Sequence, residues 1–400
     1  MAALSILAIS LGTSADPAVT FAVIVVFDPR ASLAAGAGFF HRDVRATAEP
    51  HAWDYVDRGV AGTVQSLEAA HGFRSRHVFT HALRGFAARL TAQQIQALQR
   101  DPRVARVEPD GRVGIFAQVV PWGITQIEAD VSSTLAGNGS GDVSNVNVYI
   151  LDTGIDPHRD LNVVQQVNFI DENTGDCNGH GTHVAGTVAA RDNTVDVVGV
   201  APGAPLTDVK VLGCSGAAVN SSVIKGVDWV TANAIKPAVA NMSLGGGASL
   251  ALDEAVRNSV ASGVFYAVAA GNSRTDACKV SPARAGAGTS TSNGIMTVAA
   301  TDSSNHEASF SNFGNCVDIW APGESILSTW KLGDKFRDTH TISGTSMASP
   351  HVAGAAALFL SSQPETTPRE VETALKSSAQ ATGTVSRDGR TIGLVNAVHF

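Results

Sequence analysis

The chain has 400 residues, 44% of them hydrophobic, with 39 glycines and a formal net charge of −8, which suits a globular, loop-rich chain of two domains with a sizeable core. No apolar run reaches the roughly 20 residues of a membrane-spanning helix. Residues 1–116 carry 12 Arg, no Lys and 10 acids, net +2, whereas residues 117–400 are net −10; the two parts should attract, and the acidity of the larger one argues against nucleic acid as a partner.

Residues 2–11, AALSILAISL, read as the apolar region of a signal peptide with TSA before Asp16 as its exit, although no basic residue precedes Arg30. The expected organisation is therefore a removable leader at 1–15, a small domain at 16–116 and a large one at 117–400. In the small domain FAVIVVF (21–27) reads as a strand. Residues 53–71 read as a helix, from Trp53, Val56, Val60, Val64 and Leu67 at steps of three and four. HVFTHAL and GFAARL read as a strand pair turning at Arg84 and Gly85. TAQQIQAL is a short helix opened by Thr91 and Gln94 in capping-box spacing, and VARVEP is a last strand. This βαββαβ order predicts an α+β ferredoxin-like unit, which holds no cluster of acid, base and nucleophile and suits a folding or inhibitory module.

GRVGIFAQVVP, at 111–121, reads as a linker. Beyond it VNVYIL, TDVKVL, AVANMSL, VFYAVAA and IMTVAA are apolar runs without alternation, separated by helical stretches near 219–234, 249–262 and 346–360. Strands buried on both faces have this composition, so a parallel α/β sheet is expected. Cys177, Cys214, Cys278 and Cys316 all lie in this domain without a CxxC pair, which favours two disulfides in an exported protein over zinc, with three connectivities open.

In parallel sheets sites gather at the carboxyl ends of strands. Asp152 ends VNVYIL and opens DTGIDPH. His183 lies in GHGTHVAGTVAA, where Gly179 and Gly181 permit close backbone approach; HxxH metal spacing with His180 is a rival, without a third ligand in register. Asn272 follows VAAG at another strand end. Ser346, in GTSMASPHVAGAAALFL, sits at a helix N-terminus, where its own N–H is unbonded and the helix dipole favours an oxyanion. Alone, each residue suits a cap or a turn. Together they supply the nucleophile, base, orienting anion and oxyanion donor of acyl transfer.

The motifs DTGID, HGTHVAG, AAGN and GTSMASPHVAG, in this order from about Ala117 onward, resemble those of the subtilisin-like serine proteases. ALRGFAARL and VARVEPD are similar to the inhibitory propeptide of that family. DCNGHGTH, VLGCSG, TDACKVSPA and NCVDIWAPG are similar to segments of its proteinase K-like and aqualysin-like branch. The resemblance implies a subtilisin-like peptidase domain after a propeptide, with Ser346 as nucleophile, His183 as base, Asp152 as its partner and Asn272 with the Ser346 N–H as oxyanion donors. It implies a pocket for the residue before the scissile bond lined by Ser243, Leu244 and Gly245 and by Ala269, Ala270 and Gly271, with Gly216, Ala217 and Ala218 pairing with substrate backbone. These walls carry no charge, so apolar or aromatic residues should be accepted; Asn220 stands where the proteinase K type has an aromatic rim.

The resemblance also implies bridges Cys177 to Cys214 and Cys278 to Cys316, and structural calcium but no organic cofactor. The calcium ligands would be the side chains of Gln118, Asp160 and Asn193 with the carbonyls of Arg191, Val195 and Val197, which reaches the six oxygens that calcium needs. Asp318 matches a ligand of another calcium site. The expected protein is a secreted endopeptidase made as a zymogen, cutting itself between Phe116 and Ala117. Its propeptide would be its inhibitor, polypeptides its substrates, and the mature form a monomer without a membrane span. A non-catalytic relative acting as a binding protein would lack the intact catalytic set. An α/β-hydrolase esterase would run Ser, Asp, His with a GxSxG elbow, which this chain does not contain.

Overall fold

The computed structural model describes residues 20–29, 31, 58–110, 118–170, 174–331 and 338–400. The leader at 1–15, Trp53 and Val56 at the start of the expected first helix, most of the linker and the Phe116–Ala117 bond lie outside the described residues. Two compact units divide the chain, Met1–Ile115 and Phe116–Phe400.

The first unit runs β1 (Thr20–Phe27), α1 (Arg58–His71), β2 (Ser75–Phe79), β3 (Gly85–Thr91), α2 (Ala92–Gln99) and β4 (Val104–Pro109). Its four-stranded antiparallel sheet has the order β2-β3-β1-β4, the ferredoxin-like arrangement that the βαββαβ reading predicts. On β1, Val23, Val25 and Phe27 point one way into the core, where they meet Val60, Val64 and Leu67 of α1 and Ile95 and Leu98 of α2. The expected capping box is present: Gln94 N–H donates to Thr91 Oγ1 at 3.3 Å, and Thr91 N–H donates to Gln94 Oε1 at 2.8 Å. The second strand ends at Phe79 rather than running on to Leu83.

The second unit runs α3 (Trp122–Gln126), β5 (Asn147–Asp152), β6 (Val163–Asn168), α4 (His180–Ala189), β7 (Leu206–Lys210), α5 (Asn220–Asn233), β8 (Ala238–Met242) and β9 (Gly246–Gly247). It continues with α6 (Leu250–Ala261), β10 (Val264–Ala269), β11 (Val280–Ser281), β12 (Ile295–Thr301), β13 (Ile319–Pro322), β14 (Ile326–Thr329), β15 (Thr339–Ile342), α7 (Thr345–Ser362) and α8 (Pro368–Ser378). Seven strands form a parallel sheet in the order β13-β12-β10-β8-β5-β7-β6. Both faces are covered. Val148 and Ile150 of β5 join α4 and α7 in one core, while Tyr149 and Leu151 join α5 and α6 in another. This two-sided burial is why the strands read as unbroken apolar runs.

From β5 the chain departs toward β6 and β7, and from β8 it departs the other way toward β10. The carboxyl ends of β5 and β8 therefore flank the crevice where the connections diverge, the usual place for a site in such sheets. Helix α7 is buried along nearly its whole length, so its first turn is fixed by packing on all sides. Pro350 lies inside it and cannot donate to Ser346 O one turn back; the Ser243 hydroxyl just after β8 supplies that bond at 2.7 Å.

Cys177 is bonded to Cys214 and Cys278 to Cys316, with Cα–Cα distances of 5.1 and 5.3 Å and sequence separations of 37 and 38. A loop of that size is worth about 4 kcal/mol in the chain-entropy model. The double variant Cys278→Ser/Cys316→Ser should therefore lose stability of that order in calorimetry with its kcat unchanged; an unaltered melting curve would count against the cross-link.

Candidate active site

The Asp152 carboxylate, fully buried at the end of β5, accepts from Thr153 N–H at 2.7 Å. The imidazole it meets belongs to His180: Nδ1 lies 2.7 Å from Asp152 Oδ1. The carboxylate is an acceptor, so Nδ1 holds the proton between them and Nε2 is left as the basic nitrogen. Burial works against the charged imidazolium, but the Asp152 charge and hydrogen bond, with the Asp176 charge behind them, outweigh it and hold the His180 pKa above the ordinary histidine value.

His183, the residue expected to be the base, is one helical turn further along α4 and fully buried. Its Nε2 lies 3.0 Å from Ile326 O and 3.1 Å from His340 O. Facing two carbonyls, Nε2 must carry the proton, and burial pushes the pKa down to about 3. His183 is a neutral tie between α4 and the β14–β15 hairpin, and the imidazole paired with Asp152 is that of His180. The HxxH metal reading fails with it, since the two rings have separate partners.

Two glycines allow this. Gly179 takes φ +107°, and a Cβ there would stand 2.5 Å from the Trp330 ring; a Cβ on Gly181 would run into the Gly154 carbonyl beneath Asp152. Asp176 fixes the same turn. Its Oδ1 accepts from Asn178 N–H, Gly179 N–H and the Thr153 hydroxyl at 2.8–3.0 Å, and its Oδ2 from Thr182 N–H at 2.9 Å and the Thr182 hydroxyl at 2.7 Å. This carboxylate was not among the residues singled out from the sequence, although its place four residues before the base in DCNGH is a visible signal.

Ser346 is the second residue of α7, and its hydroxyl donates to Ser243 O at 3.1 Å. At Asn272, Oδ1 accepts from Thr345 N–H and from the Thr345 hydroxyl, both at 2.8 Å. A backbone N–H only donates, which fixes the orientation of the amide and leaves its NH₂ beside Gly344, free to donate at the start of α7.

A cavity of about 380 Å³ opens here, lined by His180, Ser346, Ser243, Leu244, Gly245, Gly216, Ala217 and Ala218 and continuing past Asn220, Val223, Leu252 and Ser281. No Asp, Glu, Lys or Arg is in the wall. Ala269, Ala270 and Gly271 are not among the residues lining this cavity: Ala270 packs in a core with Ala277, Val317 and Trp320, while the half-buried Gly271 donates to the Thr345 hydroxyl at 3.0 Å.

The residues expected to hold calcium converge. Asn193 Nδ2 donates to the fully buried Asp160 at 2.6 Å, Val197 N–H at 3.2 Å, and the Gln118 amide spans Arg191 O and Val197 O at 2.7 and 3.3 Å. Val195 donates to Asn193 Oδ1 in the same loop at 2.7 Å. Burial pushes the Asp160 pKa up to about 6; with one buried carboxylate, two side-chain amides and the Arg191 and Val197 carbonyls tied together in this loop, the donor set is of the oxygen type that calcium takes. Among the described residues no cluster of three or more His, Cys, Asp or Glu side chains could hold a metal, and this loop would use a single carboxylate. Asp318 does not fit. The Lys376 ammonium lies 2.8 Å from its Oδ1 and takes the position a metal would need.

A serine and an imidazole oriented by a buried carboxylate at one uncharged cavity, with an amide donor tied to the start of the serine's helix, suit a serine hydrolase of the parallel α/β type. Residues 143–393 match the subtilase family and residues 22–115 the peptidase inhibitor I9 family. The chain belongs to the subtilase family, and it is a serine endopeptidase preceded by an I9 propeptide region. An extracellular serine proteinase of Thermus sp. (strain Rt41A) is 42% identical over 377 residues, covering 91% of this chain and 86% of that one. Alkaline serine exoprotease A of Vibrio alginolyticus is 42% identical over 343 residues, 81% of this chain and 61% of that one. A crystal structure of a cold adapted subtilisin-like serine proteinase matches with TM-score 0.60 and 41% identity, over 70% of this chain and 98% of that one.

Peptidase activity should rise with pH with a midpoint above the ordinary histidine value, because only neutral His180 accepts a proton. In Asp176→Asn a negative charge that favours the imidazolium is gone, so the acid limb of kcat/KM should move down by roughly a few tenths of a pH unit. An unchanged limb would assign Asp176 to the fold alone.

Proposed function

We propose that this chain is a secreted zymogen whose mature domain cleaves peptide bonds with Ser346 as nucleophile, His180 as general base and acid, and Asp152 as the anion that orients and stabilises the imidazolium. The observation that carries it is the 2.7 Å contact of His180 Nδ1 with the buried Asp152, at the cavity that Ser346 also lines. His180 Nε2 takes the Ser346 proton as Oγ attacks the carbonyl, and returns it to the leaving amine; water then repeats the sequence on the acyl-enzyme. The Asn272 NH₂ and the Ser346 N–H, which no earlier carbonyl of α7 can occupy, bind the oxyanion, and losing one such donor costs about 3 kcal/mol of transition-state stabilisation.

The uncharged wall, with Leu212, Val223, Leu244 and Leu252 among its residues, favours apolar or aromatic side chains before the scissile bond. A charged residue there would lose its hydration without a partner. Secretion rests on the leader-like residues 2–11 and on the relative named extracellular. The I9 match at 22–115 supports residues 16–116 as an intramolecular inhibitor, released by a cut between Phe116 and Ala117 in the chain's own active site. Residues 117–400 would then be the mature enzyme.

Gln118, Asp160, Asn193 and the carbonyls of Arg191, Val195 and Val197 are proposed to hold one structural Ca²⁺, with Gln118 turning its amide oxygen inward. The ion would clamp the N-terminal segment that already hydrogen-bonds Val119 N–H to Asp196 O at 2.9 Å.

His180→Ala should lower kcat by roughly 10⁴-fold or more, whereas His183→Gln, which keeps an N–H for the two carbonyls, should retain most of kcat and lose stability; the reverse ranking would return the base to His183. Ser346→Ala should accumulate at precursor length apart from any leader, while the wild type yields a form beginning AQVVPW, read by N-terminal sequencing. Maturation of Ser346→Ala produced alone would show that another protease makes the cut.

Chelation should lower the melting temperature more than the initial rate at low temperature, because the proposed ion holds a loop away from the triad. Superimposed melting curves with chelator and with calcium would remove the Asp160 site.

A further inference from the structure

The Lys376 side chain reaches from α8 into a cage of four oxygens. Its Nζ donates to Asp318 Oδ1 at 2.8 Å, Gly288 O at 2.7 Å, Thr291 O at 2.5 Å and, in a very short contact, Glu372 Oε1 one helical turn earlier. Both carboxylates are fully buried and the lysine is 12% exposed. Their other oxygens are held as well: Glu372 Oε2 accepts from Asn293 N–H and Gly294 N–H, both at 2.6 Å, and Asp318 Oδ2 from Thr297 N–H at 2.7 Å. An ammonium has three protons for these four oxygens. Two acidic groups and two carbonyls facing one point is how proteins build a site for a hard cation, with water completing the shell.

We propose that Lys376 is the resident cation of this site, an internal substitute for a metal ion. Its ammonium joins three separate pieces of chain, the segment before β13 through Asp318, the 288–294 loop and α8, and Asp318 in turn holds β12 through Thr297 N–H. Because the charge is covalently supplied, this corner of the enzyme is held together without divalent cations, whereas the Asp160 loop depends on one. The cage it leaves when truncated is a calcium site: two buried carboxylates and two carbonyls around a space the size of a lysine head. Glu372 and Lys376, one turn apart on a helix opened by the Thr367–Glu370 capping box, bring the second acid and the cation together, so one helix supplies both the surplus negative charge and its counter-ion.

The test uses the mature enzyme with its serine covalently blocked to prevent self-digestion. Lys376→Ala in EDTA should melt roughly 5–10 °C below the wild type, since a buried pair has lost one partner. With millimolar calcium it should recover at least half of that loss and, in equilibrium dialysis with radioactive calcium, bind one more ion per chain than the wild type. Glu372→Gln/Lys376→Ala, which removes the surplus charge with the ammonium, should melt above Lys376→Ala in EDTA and bind no extra ion. A Lys376→Ala protein that melts within about 1 °C of the wild type, or that binds no additional calcium, overturns the proposal. If Lys376→Ala does not accumulate, the double variant decides: its accumulation supports the proposal, and failure of both overturns it.

Discussion

The active centre depends on a carboxylate buried where water cannot reach it. Asp152 Oδ1 has Thr153 N–H and His180 Nδ1, while Oδ2 is buried with no hydrogen-bond partner among the described residues. A carboxylate left that far from full satisfaction gains more from a neighbouring positive charge than a hydrated one would. In the proposed mechanism an imidazolium forming on His180 would supply that charge as Ser346 gives up its proton. The surroundings serve the same end. Gly181 lets α4 begin against the turn below Asp152, and Lys210, fully buried at the end of β7, donates to Thr153 O at 2.6 Å and fixes the residue after the acid.

The serine is held by a different device. Proline inside a buried helix ordinarily leaves a carbonyl without its donor and costs several kcal/mol. In α7 the deserted carbonyl is that of Ser346 itself, and the Ser243 hydroxyl reaches it from the end of β8. The gap in the helix ladder thus becomes a cross-link between the nucleophile's backbone and the strand that lines the cavity. Thr345 completes the anchorage by holding Asn272 through both its N–H and its hydroxyl. Two strand ends therefore meet one helix start through short polar bonds that the apolar cores on either side shield from water.

Much of this was legible in the sequence for a physical reason. Strands covered on both faces lose alternation, and helices that cross between them start with glycine or small polar residues, so the runs and their order announced a parallel sheet, with Asp152, Asn272 and Ser346 at the expected ends. The choice between His180 and His183 was not legible from spacing. Three residues apart on a helix, both rings lie on one side, and only the tertiary partners separate them: the exposed end of the turn meets the β5 carboxylate, while the next turn is roofed by β14 and β15. Those short strands carried no periodic signal.

Asp318 marks where charge bookkeeping needs the whole fold. Read in its own segment, VDIWAPG, it is an acid in want of a cation, and a metal is the natural supplier. The actual supplier lies 58 residues further on, on a helix whose apolar pair Val371 and Leu375 marked a buried face but not the burial of Glu372 and Lys376 beside it, and it arrives with a second acid on the same helix. Burial pushes the Asp318 pKa up, Glu372 adds to this and Lys376 opposes it, leaving it at about 7. The desolvation of two carboxylates is thus offset by one fixed ammonium and three backbone N–H groups. At Asp160 the hydrogen-bonding partners are the Asn193 amide and the Val197 N–H, with no such ammonium. The two acids would then answer the same electrostatic need in opposite ways, one by a cation built into the chain and the other by the calcium ion proposed to come from solution.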